Sequence, residues 1–163
     1  MKYQLKEKVW SWTDTYRILD AAGHEVLSVH GKFFSWGKDL TVLDSCGMEV
    51  ARIKQKLLTL LPRFQLFRDG QMFAEIVKEF SWFKAKFTLD VPGPNDYEIS
   101  GDFWDYEYKF RRRGRIVATV SKAFWSWGDT YGVDILDGED DISILCTAVV
   151  IDLVCHEDKN HGD

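Results

Sequence analysis

ISILCTAVVIDLVC, residues 142–155, is the longest nearly unbroken apolar stretch of the chain. Only Ser143, Thr147 and Asp152 interrupt it, and it contains neither Gly nor Pro. Its β-branched residues favour a strand, but buried strands usually end after about 4–8 residues. Acidic residues at 139–141 precede it and suit the positive end of a helix dipole, so we predict a helix. Because this helix is apolar nearly all round, it must be buried on every side.

The rest of the chain must therefore supply the surface that covers this helix. At 163 residues the chain is long enough for one domain with a substantial core. A hydrophobic content of 45% and an aromatic content of 15% are typical of a globular protein. The helix falls short of the roughly 20 residues that cross a bilayer. We predict a single domain over residues 1–163, with its central helix at about 142–157 and a frayed tail at 158–163.

Charge and cysteine content narrow the class of protein. The net charge is −5, whereas nucleic-acid-binding domains are usually basic, so we expect no nucleic-acid partner. Cysteines stand at 46, 146 and 155, an odd number that favours buried thiols in a reducing compartment. The first residues, MKYQLKEKVW, lack the apolar segment of a secretory signal. We therefore expect a cytoplasmic protein, and we expect it to be a monomer.

The chain contains an internal repeat. Residues 10–16 read WSWTDTY, residues 125–131 read WSWGDTY, and two further Ser-Trp pairs stand at 35–36 and 81–82. Between these motifs, four segments each combine a short apolar run, a polar turn and an alternating run. Their turns contain Gly23, Gly47, Gly70 and Gly114. Each segment is typical of a β-hairpin in which Gly adopts the positive φ that the turn requires.

The Trp residues of the repeat have two interpretations. They have the chemistry of a sugar platform or of a belt at a membrane interface. Alternatively, they pack at corners where strands change direction. Because they recur at fixed places in the repeat, we favour corner packing.

Taken in order, the chain predicts about twelve antiparallel strands before the helix. They cover residues 3–7, 14–20, 24–30, 39–44, 48–55, 63–68, 71–78, 84–91, 96–101, 106–111, 115–121 and 129–136. An open sheet of that size would curl and leave unpaired edges, whereas closure into a barrel removes the edges. Such a barrel is wide enough to need a filler. We therefore predict a mainly β fold, a closed antiparallel β-barrel wrapped around the buried, hydrophobic C-terminal helix.

Five segments together carry a family resemblance. They are KFFSWGKDLTVLD at 32–44, ARIKQKLLTLLPRFQLF at 51–67, GDFWDYEY at 101–108, WSWGDTYGVDI at 125–135 and AVVIDLVCHE at 148–157. Over residues 6–157 the chain resembles the LURP-one-related proteins of plants and bacteria, and the bacterial members most. That family lies in the Tubby C-terminal-like superfamily, which also contains the phosphoinositide-binding Tubby proteins and the phospholipid scramblases. The resemblance implies a twelve-stranded barrel around a buried C-terminal helix, but most bacterial members have no established activity.

Motifs for catalysis or metal binding are scarce. The chain has no nucleophile elbow, Walker loop or GxGxxG motif. The histidines at 24, 30, 156 and 161 lack the spacing of metal ligands, so we expect neither a metal nor another cofactor. Asp102, Asp105 and Glu107 have the side chains of a general acid and base, but alternation with aromatic residues also explains them as solvent-facing positions. We expect a protein that is not an enzyme.

Asp152 is an unusual residue in an apolar helix. Burying a carboxylate costs several kcal/mol unless the group is paired or neutralised. Either it lies where the helix leaves the barrel or bonds a polar group of a strand, or it belongs to a site at the barrel mouth. We favour the first interpretation.

Basic residues are the best candidates for a binding site. The candidate ligand- or lipid-binding residues are Lys54, Lys56, Lys84, Lys86, Lys109, Arg111, Arg112, Arg113 and Arg115. Lys and Arg near an anionic membrane contribute about 1 kcal/mol each, and several together hold a lipid phosphate. Outward-facing strand positions also take Lys and Arg because these block edge pairing. The phosphoinositide ligands of Tubby proteins share no local motif with this chain.

Three functions follow from these observations. The first is a non-catalytic domain, peripheral to the membrane, that binds anionic phospholipid or another phosphate-bearing ligand. The alternative is a scaffold barrel that binds an unidentified protein and no small ligand. Lipid scrambling ranks last, because the chain lacks the Pro-rich extension and the Cys cluster associated with scramblases, and its helix is too short to span a bilayer.

Overall fold

A computed structural model of the chain shows a closed antiparallel β-barrel around a helix. The structure describes residues 1–8, 15–34, 37–82, 84–122 and 130–160, without the side chains at 7, 8, 15, 32–34 and 156–160. The described part contains twelve strands and one helix. The prediction of a mainly β, closed antiparallel barrel is confirmed.

The strands follow one another around the barrel in chain order. They are β1 (Lys2–Lys8), β2 (Thr15–Asp20), β3 (Glu25–Phe34), β4 (Gly37–Asp44), β5 (Glu49–Gln55), β6 (Arg63–Arg68), β7 (Gln71–Glu79), β8 (Lys86–Asp90), β9 (Tyr97–Asp102), β10 (Glu107–Arg112), β11 (Arg115–Ser121) and β12 (Thr130–Ile135), and the helix is α1 (Asp141–Asn160). Each strand pairs antiparallel with the next, and β1 closes the barrel by pairing with β12, Lys2 opposite Asp134.

Alternating side chains build the interior of the barrel. In β4 the buried side chains include Leu40 and Val42, and in the neighbouring β5 they are Ala51 and Ile53. Burial of every second residue is what a strand with one wet face requires. All residues of α1 from 143 to 155 are buried, so the apolar stretch is the core of the barrel as predicted.

The helix begins with a side-chain cap and extends further than expected. Asp140 accepts hydrogen bonds from the backbone nitrogen of Ser143 (3.3 Å) and from its hydroxyl (2.7 Å), as an N-cap residue does. The helix continues to Asn160, so residues 158–160 are helical rather than frayed. Residues 161–163 of the expected tail lie outside the described part of the chain. Among the described residues, no helix combines the length and apolarity needed to span a bilayer.

The predicted hairpin glycines adopt the predicted conformation. Gly23, Gly47, Gly70 and Gly114 have φ values of 86°, 81°, 74° and 76°. Gly70 and Gly114 each follow a residue that also has positive φ, the pattern of a two-residue type I′ turn. The Gly47 turn is closed differently, since Asp44 Oδ1 accepts hydrogen bonds from two backbone nitrogens of the turn, both 2.9 Å long. Asp20 closes the Gly23 turn in the same way.

The antiparallel order gives the barrel two different ends. One end, the turn end, contains the turns after β2, β4, β6 and β10 and the start of α1. The opposite end, the loop end, contains the connections of β5 to β6 (56–62), β7 to β8 (80–85) and β9 to β10 (103–106). The C-terminal part of α1 points to the loop end, because the helix enters from the turn end.

Candidate functional site

The turn end uses barrel-wall side chains to hold the acidic residues that precede and begin α1. The Tyr3 hydroxyl donates to Asp141 Oδ2 (2.5 Å), and the Tyr97 hydroxyl donates to Glu139 Oε2 (2.9 Å). Burial and the Glu139 hydrogen bond raise the pKa of Tyr97 to about 12. Arg112 Nη2 donates to Glu139 Oε1 at 2.8 Å. Arg112, a predicted lipid ligand, is therefore an ion-pair partner that anchors the start of the helix.

Two other predicted arginines also lie at the turn end. Arg113 is exposed and donates to Asn95 Oδ1 at 3.0 Å, and Arg115 is exposed across the same turn. The turn end carries many acids, namely Asp20, Asp44, Asp69, Asp90, Asp96, Asp137, Glu139, Asp140 and Asp141. The arginine cluster is thus embedded in negative charge, which weakens its attraction for an anionic surface.

The loop end exposes a group of apolar side chains. The group, which we call the loop face, consists of Leu57, Leu58, Leu60, Phe80 and Trp82. Leu58 and Leu60 are fully exposed, and Trp82 is 85% exposed. The rings of Phe80 and Trp82 meet edge to face, with centroids 5.4 Å apart. Exposed apolar side chains clustered in this way mark an interaction surface in soluble proteins.

The backbone holds the two connections of the loop face together. The nitrogen of Lys78, near the end of β7, donates to the carbonyl oxygen of Pro62 at 3.0 Å, so the end of the first connection lies beside the strand that leads into the second. Leu58 has a φ of 60°, a conformation that is uncommon for a bulky residue. This outlier presents its side chain to solvent. The sequence LLTLLP at 57–62 reads as an apolar link, and nothing in its pattern shows that its leucines are exposed.

Four of the lysines predicted to bind a ligand or lipid lie around the loop face. Lys56 and Lys84 are exposed within its two connections, and residues 56–62 and 80–85 contain no Asp or Glu. Lys54 is exposed on the adjoining strand, with Nζ 5.3 Å from the centre of the Phe67 ring. Lys86 is half-buried, with Nζ 3.6 Å from Glu79 Oε2. The loop face is therefore flanked by positive charge, in contrast to the acidic turn end.

The remaining predicted cations meet on the outer wall of the barrel. Lys84, Lys109 and Arg111 line a groove of about 370 Å³ with Ser100, Gly101 and Glu107. Lys109 stands opposite Ser100 in the β9–β10 register, and Arg111 Nη1 donates to Ser100 Oγ at 3.1 Å. We call this the wall groove. The predicted set of cations thus divides among the loop face, the wall groove and the turn end.

Asp152 is buried inside the loop end and receives two tyrosine hydrogen bonds. The hydroxyl of Tyr16 donates to Oδ2 at 2.8 Å, and that of Tyr106 donates to Oδ1 at 2.6 Å. Tyr106 has a φ of 56° and stacks on Tyr131, with centroids 4.7 Å apart. The contact with Tyr16, on β2, agrees with the interpretation that Asp152 bonds a polar group of a strand.

The buried tyrosines around Asp152 are held neutral. Burial, with Asp152 nearby, raises the pKa values of Tyr108 and Tyr131 well above that of a free tyrosine. Within the described residues the Tyr108 hydroxyl has no hydrogen-bond partner. The Tyr131 hydroxyl reaches the carbonyl oxygen of Ala148 at 3.5 Å. The inner loop end therefore packs neutral phenols around one carboxylate.

Two of the three acids that have the side chains of a general acid and base make structural contacts. Asp102 Oδ1 accepts hydrogen bonds from the backbone nitrogens of Trp104 and Asp105, both 3.1 Å long. Glu107 Oε1 accepts from the Ser121 hydroxyl at 2.6 Å. Asp102 therefore shapes the turn between β9 and β10, and Glu107 joins β10 to β11 on the outer wall.

Histidines and cysteines form no cluster in the described part of the chain. His24 and His30 are exposed, and no group of three metal-ligating side chains occurs among the described residues. His156 and His161 lie outside the described side chains. The cysteines at 46, 146 and 155 form no disulfide. The expectation of buried thiols is wrong for Cys46, which is exposed in the turn after β4.

The described tryptophans differ from the expected corner packing. Trp82 is exposed on the loop face and Trp104 is 45% exposed in the turn after β9. Corner packing is therefore wrong for Trp82, because the turn of the chain there directs its ring outward. Five further tryptophans, at 10, 12, 36, 125 and 127, lie outside the described residues.

Comparison with known proteins identifies the family. The family model described as LURP-one-related matches residues 1–152. The uncharacterised Bacillus subtilis protein YxjI is 35% identical over 158 residues, which cover 97% of this chain and 96% of that protein. The chain therefore belongs to the LURP-one-related family, and the resemblance noted in its sequence is confirmed.

A solved structure supports the fold independently. The X-ray structure of a protein from Arabidopsis thaliana superposes with a TM-score of 0.67 at 14% sequence identity. The match covers 95% of this chain and 91% of the plant protein. At that identity the likeness concerns the fold alone. The barrel and its central helix are thus an architecture that a very different sequence also forms.

Proposed function

We propose that this protein is a non-catalytic domain that binds the surface of an anionic phospholipid membrane through its loop face. The observation that carries the proposal is the full exposure of Leu58 and Leu60 next to the exposed ring of Trp82. Leucine side chains enter the apolar part of a membrane interface, and Trp favours the interface itself.

Charge complementarity supports an anionic surface as the occupant. Lys56 and Lys84 lie within the two connections that carry the loop face, and no acid accompanies them there. The turn end carries many acids, whereas the two connections of the loop face carry none, so charge is distributed unevenly between these two described surfaces. Such a distribution orients the loop face toward a negative membrane.

Vesicle co-sedimentation tests the proposal directly. The purified protein is mixed with phosphatidylcholine vesicles, or with vesicles that also contain phosphatidylserine, at low and at moderate salt. We expect binding to the anionic vesicles alone, weakened by salt because the lysine contribution is screened. Equal binding to both vesicles would contradict the role of charge.

Two variants distinguish vesicle binding through the loop face from non-specific adsorption to vesicles. Leu58→Glu removes an apolar contact and adds a repelling charge, so we expect at least about tenfold weaker vesicle binding, because burying a leucine contributes about 1.5–3 kcal/mol. Met48→Glu is the matched control, since Met48 is 66% exposed in a turn at the acidic end. The control should bind like the parent protein.

A protein partner is the other candidate for the same surface. An exposed apolar face also suits a protein contact, which is the scaffold alternative. If the wild-type protein binds no vesicle at either salt concentration, the lipid proposal is rejected. A protein partner is then the remaining candidate for the loop face.

A further inference from the structure

The wall groove brings together three cations that form no ion pair with a described carboxylate. Arg17, Arg52, Arg63, Arg68 and Arg112 each form an ion pair with a carboxylate. Among the described residues, Lys84, Lys109 and Arg111 form none, although they face one groove. One carboxylate, that of Glu107, also lines the groove and accepts a hydrogen bond from the Ser121 hydroxyl, so the three cations outnumber the acid. An anion bound between the cations would reduce their mutual repulsion.

Strand pairing fixes the geometry of the wall groove. Lys109 and Arg111 are two residues apart on β10, so both side chains point to the outer face. Ser100 stands opposite Lys109 on β9, and its hydroxyl already bonds Arg111. Lys84, in the connection before β8, approaches from the far side of β9. Two lysines, one guanidinium and one hydroxyl therefore converge, a donor set that suits phosphate oxygens.

A glycine allows β9 and β10 to approach closely beside the wall groove. Gly101 lines it, with a φ of 145°. A Cβ there would lie 2.4 Å from the carbonyl oxygen of Glu107 and 2.6 Å from Tyr108 Cα. No side chain fits at this position without moving the β10 backbone, so Gly101 contributes only backbone atoms to the lining of the wall groove.

A second recess adjoins the wall groove. It has a volume of about 390 Å³ and shares Lys84 and Gly101 with it. Its other walls are Ala85, Phe103 and Trp104, which offer apolar and aromatic surface, and Asp102, whose Oδ1 accepts two backbone hydrogen bonds of the adjoining turn. A ligand that places an anion on the lysines has room for an attached carbon group beside Trp104.

We propose that the wall groove binds the phosphate group of an organic phosphate, whose carbon part occupies the recess beside Trp104. The phosphate belongs either to a lipid headgroup or to a soluble metabolite. The lipid case rests on the proposed function, because Lys84 lies both in the wall groove and next to the loop face. The proposal adds a specific ligand site to a general attraction for anionic surfaces.

The test uses two soluble probes and no membrane. Dihexanoyl phosphatidic acid, below its micelle-forming concentration, and glycerol 3-phosphate are titrated into the ¹⁵N-labelled full-length protein and followed by amide NMR shifts. We expect saturable shifts at Ser100, Gly101 and Lys109. The Lys109→Gln/Arg111→Gln variant should bind more than about tenfold more weakly, since each cation contributes about fivefold.

Matched controls make the result specific. Arg113→Gln/Arg115→Gln removes the same charge at the turn end and should change affinity less than about twofold. Lys109→Gln alone, which leaves the Arg111–Ser100 contact intact, guards against a folding defect in the double variant. Binding of neither probe, or equal weakening by both double variants, would overturn the wall-groove proposal.

The two probes and the vesicle assay separate the possible sources and the two proposals. Binding of the phosphatidic acid alone assigns a lipid headgroup, and equal binding of both probes assigns a soluble organic phosphate. Vesicle binding without probe binding would reject the wall groove and keep the proposed function. Probe binding without vesicle binding would reject the membrane function and keep the wall groove.

Discussion

Tyr16 of β2 donates a hydrogen bond of 2.8 Å to the carboxylate of Asp152 in α1, 136 positions away in sequence. The Tyr106 hydroxyl donates to the other oxygen of the same carboxylate. A charged group buried in an apolar helix is stable only with such donors. The contact therefore joins the first hairpin of the barrel to the helix that the barrel encloses.

Replacing Tyr16 with Phe removes one of these donors and little volume. We expect Tyr16→Phe to lower the free energy of unfolding by about 1–3 kcal/mol, because the buried carboxylate loses a hydrogen bond. Urea denaturation measures the change. Tyr108→Phe is the matched control, since the buried Tyr108 hydroxyl has no partner among the described residues. A loss as large in the control as in Tyr16→Phe would contradict the assigned role.

The buried tyrosines predict a loss of stability at alkaline pH. The pKa values of Tyr108 and Tyr131 are raised in the folded state by burial and by Asp152. The unfolded chain therefore loses its tyrosine protons first, and the free energy of unfolding falls as pH rises above about 10. Below that pH both states are protonated and the contribution is fully present.

Urea titrations across the alkaline range measure this dependence. Each such tyrosine should contribute a slope of about 1.4 kcal/mol per pH unit above the unfolded pKa. Tyr108→Phe should reduce the slope by the contribution of one tyrosine, about 1.4 kcal/mol per pH unit. An unchanged slope in that variant would show that Tyr108 ionises freely in the folded protein.

Replacement by alanine should destabilise the protein more at Gly101 than at Gly47. In Gly101→Ala the new Cβ meets the β10 backbone, so we expect a loss of about 3 kcal/mol or more. In Gly47→Ala nothing lies within 4 Å of the Cβ, so the backbone conformation alone should cost about 1–2 kcal/mol. Thermal unfolding of the two variants compares them, and similar losses would contradict the close approach of β10.

Thiol labelling distinguishes the three cysteines. Cys46 is exposed, whereas Cys146 and Cys155 are buried inside the barrel. Burial raises the pKa of Cys146 to about 12, which suppresses the reactive thiolate. We expect native protein to incorporate one equivalent of an alkylating reagent quickly, and the Cys46→Ser variant to react only as it unfolds. Mass spectrometry counts the labels, and rapid labelling at Cys146 would contradict its burial.

Several features of the fold were predictable because they depend on local sequence. The hairpin turns follow from Gly23, Gly47, Gly70 and Gly114, because a residue without a Cβ adopts the positive φ of such a turn at no steric cost. The barrel followed from the number of strands and from the need to cover one apolar helix. The end of the helix is less predictable, since the polar residues 158–160 continue the helix without apolar periodicity.

The candidate site was less predictable because its residues are distant in sequence. Lys84 precedes β8 and Lys109 lies on β10. The two residues meet because only β9 lies between these strands in the barrel. Charge alone groups Lys54, on β5, with them, yet β5 and β10 lie five strand positions apart in the closed order. Arg112 is close to Lys109 in sequence, but its ion pair with Glu139 places it at the acidic end.

The sequence by itself determined the architecture and the core of this protein. Strand alternation, turn glycines and the length of the apolar stretch are local properties, and they are compatible with few packing arrangements. Only the tertiary structure decided which leucines face solvent and which cations lack a carboxylate partner. Those properties depend on the direction of each loop and on neighbours across strands, because exposure and electrostatic compensation are set by distances in space rather than by positions in the chain.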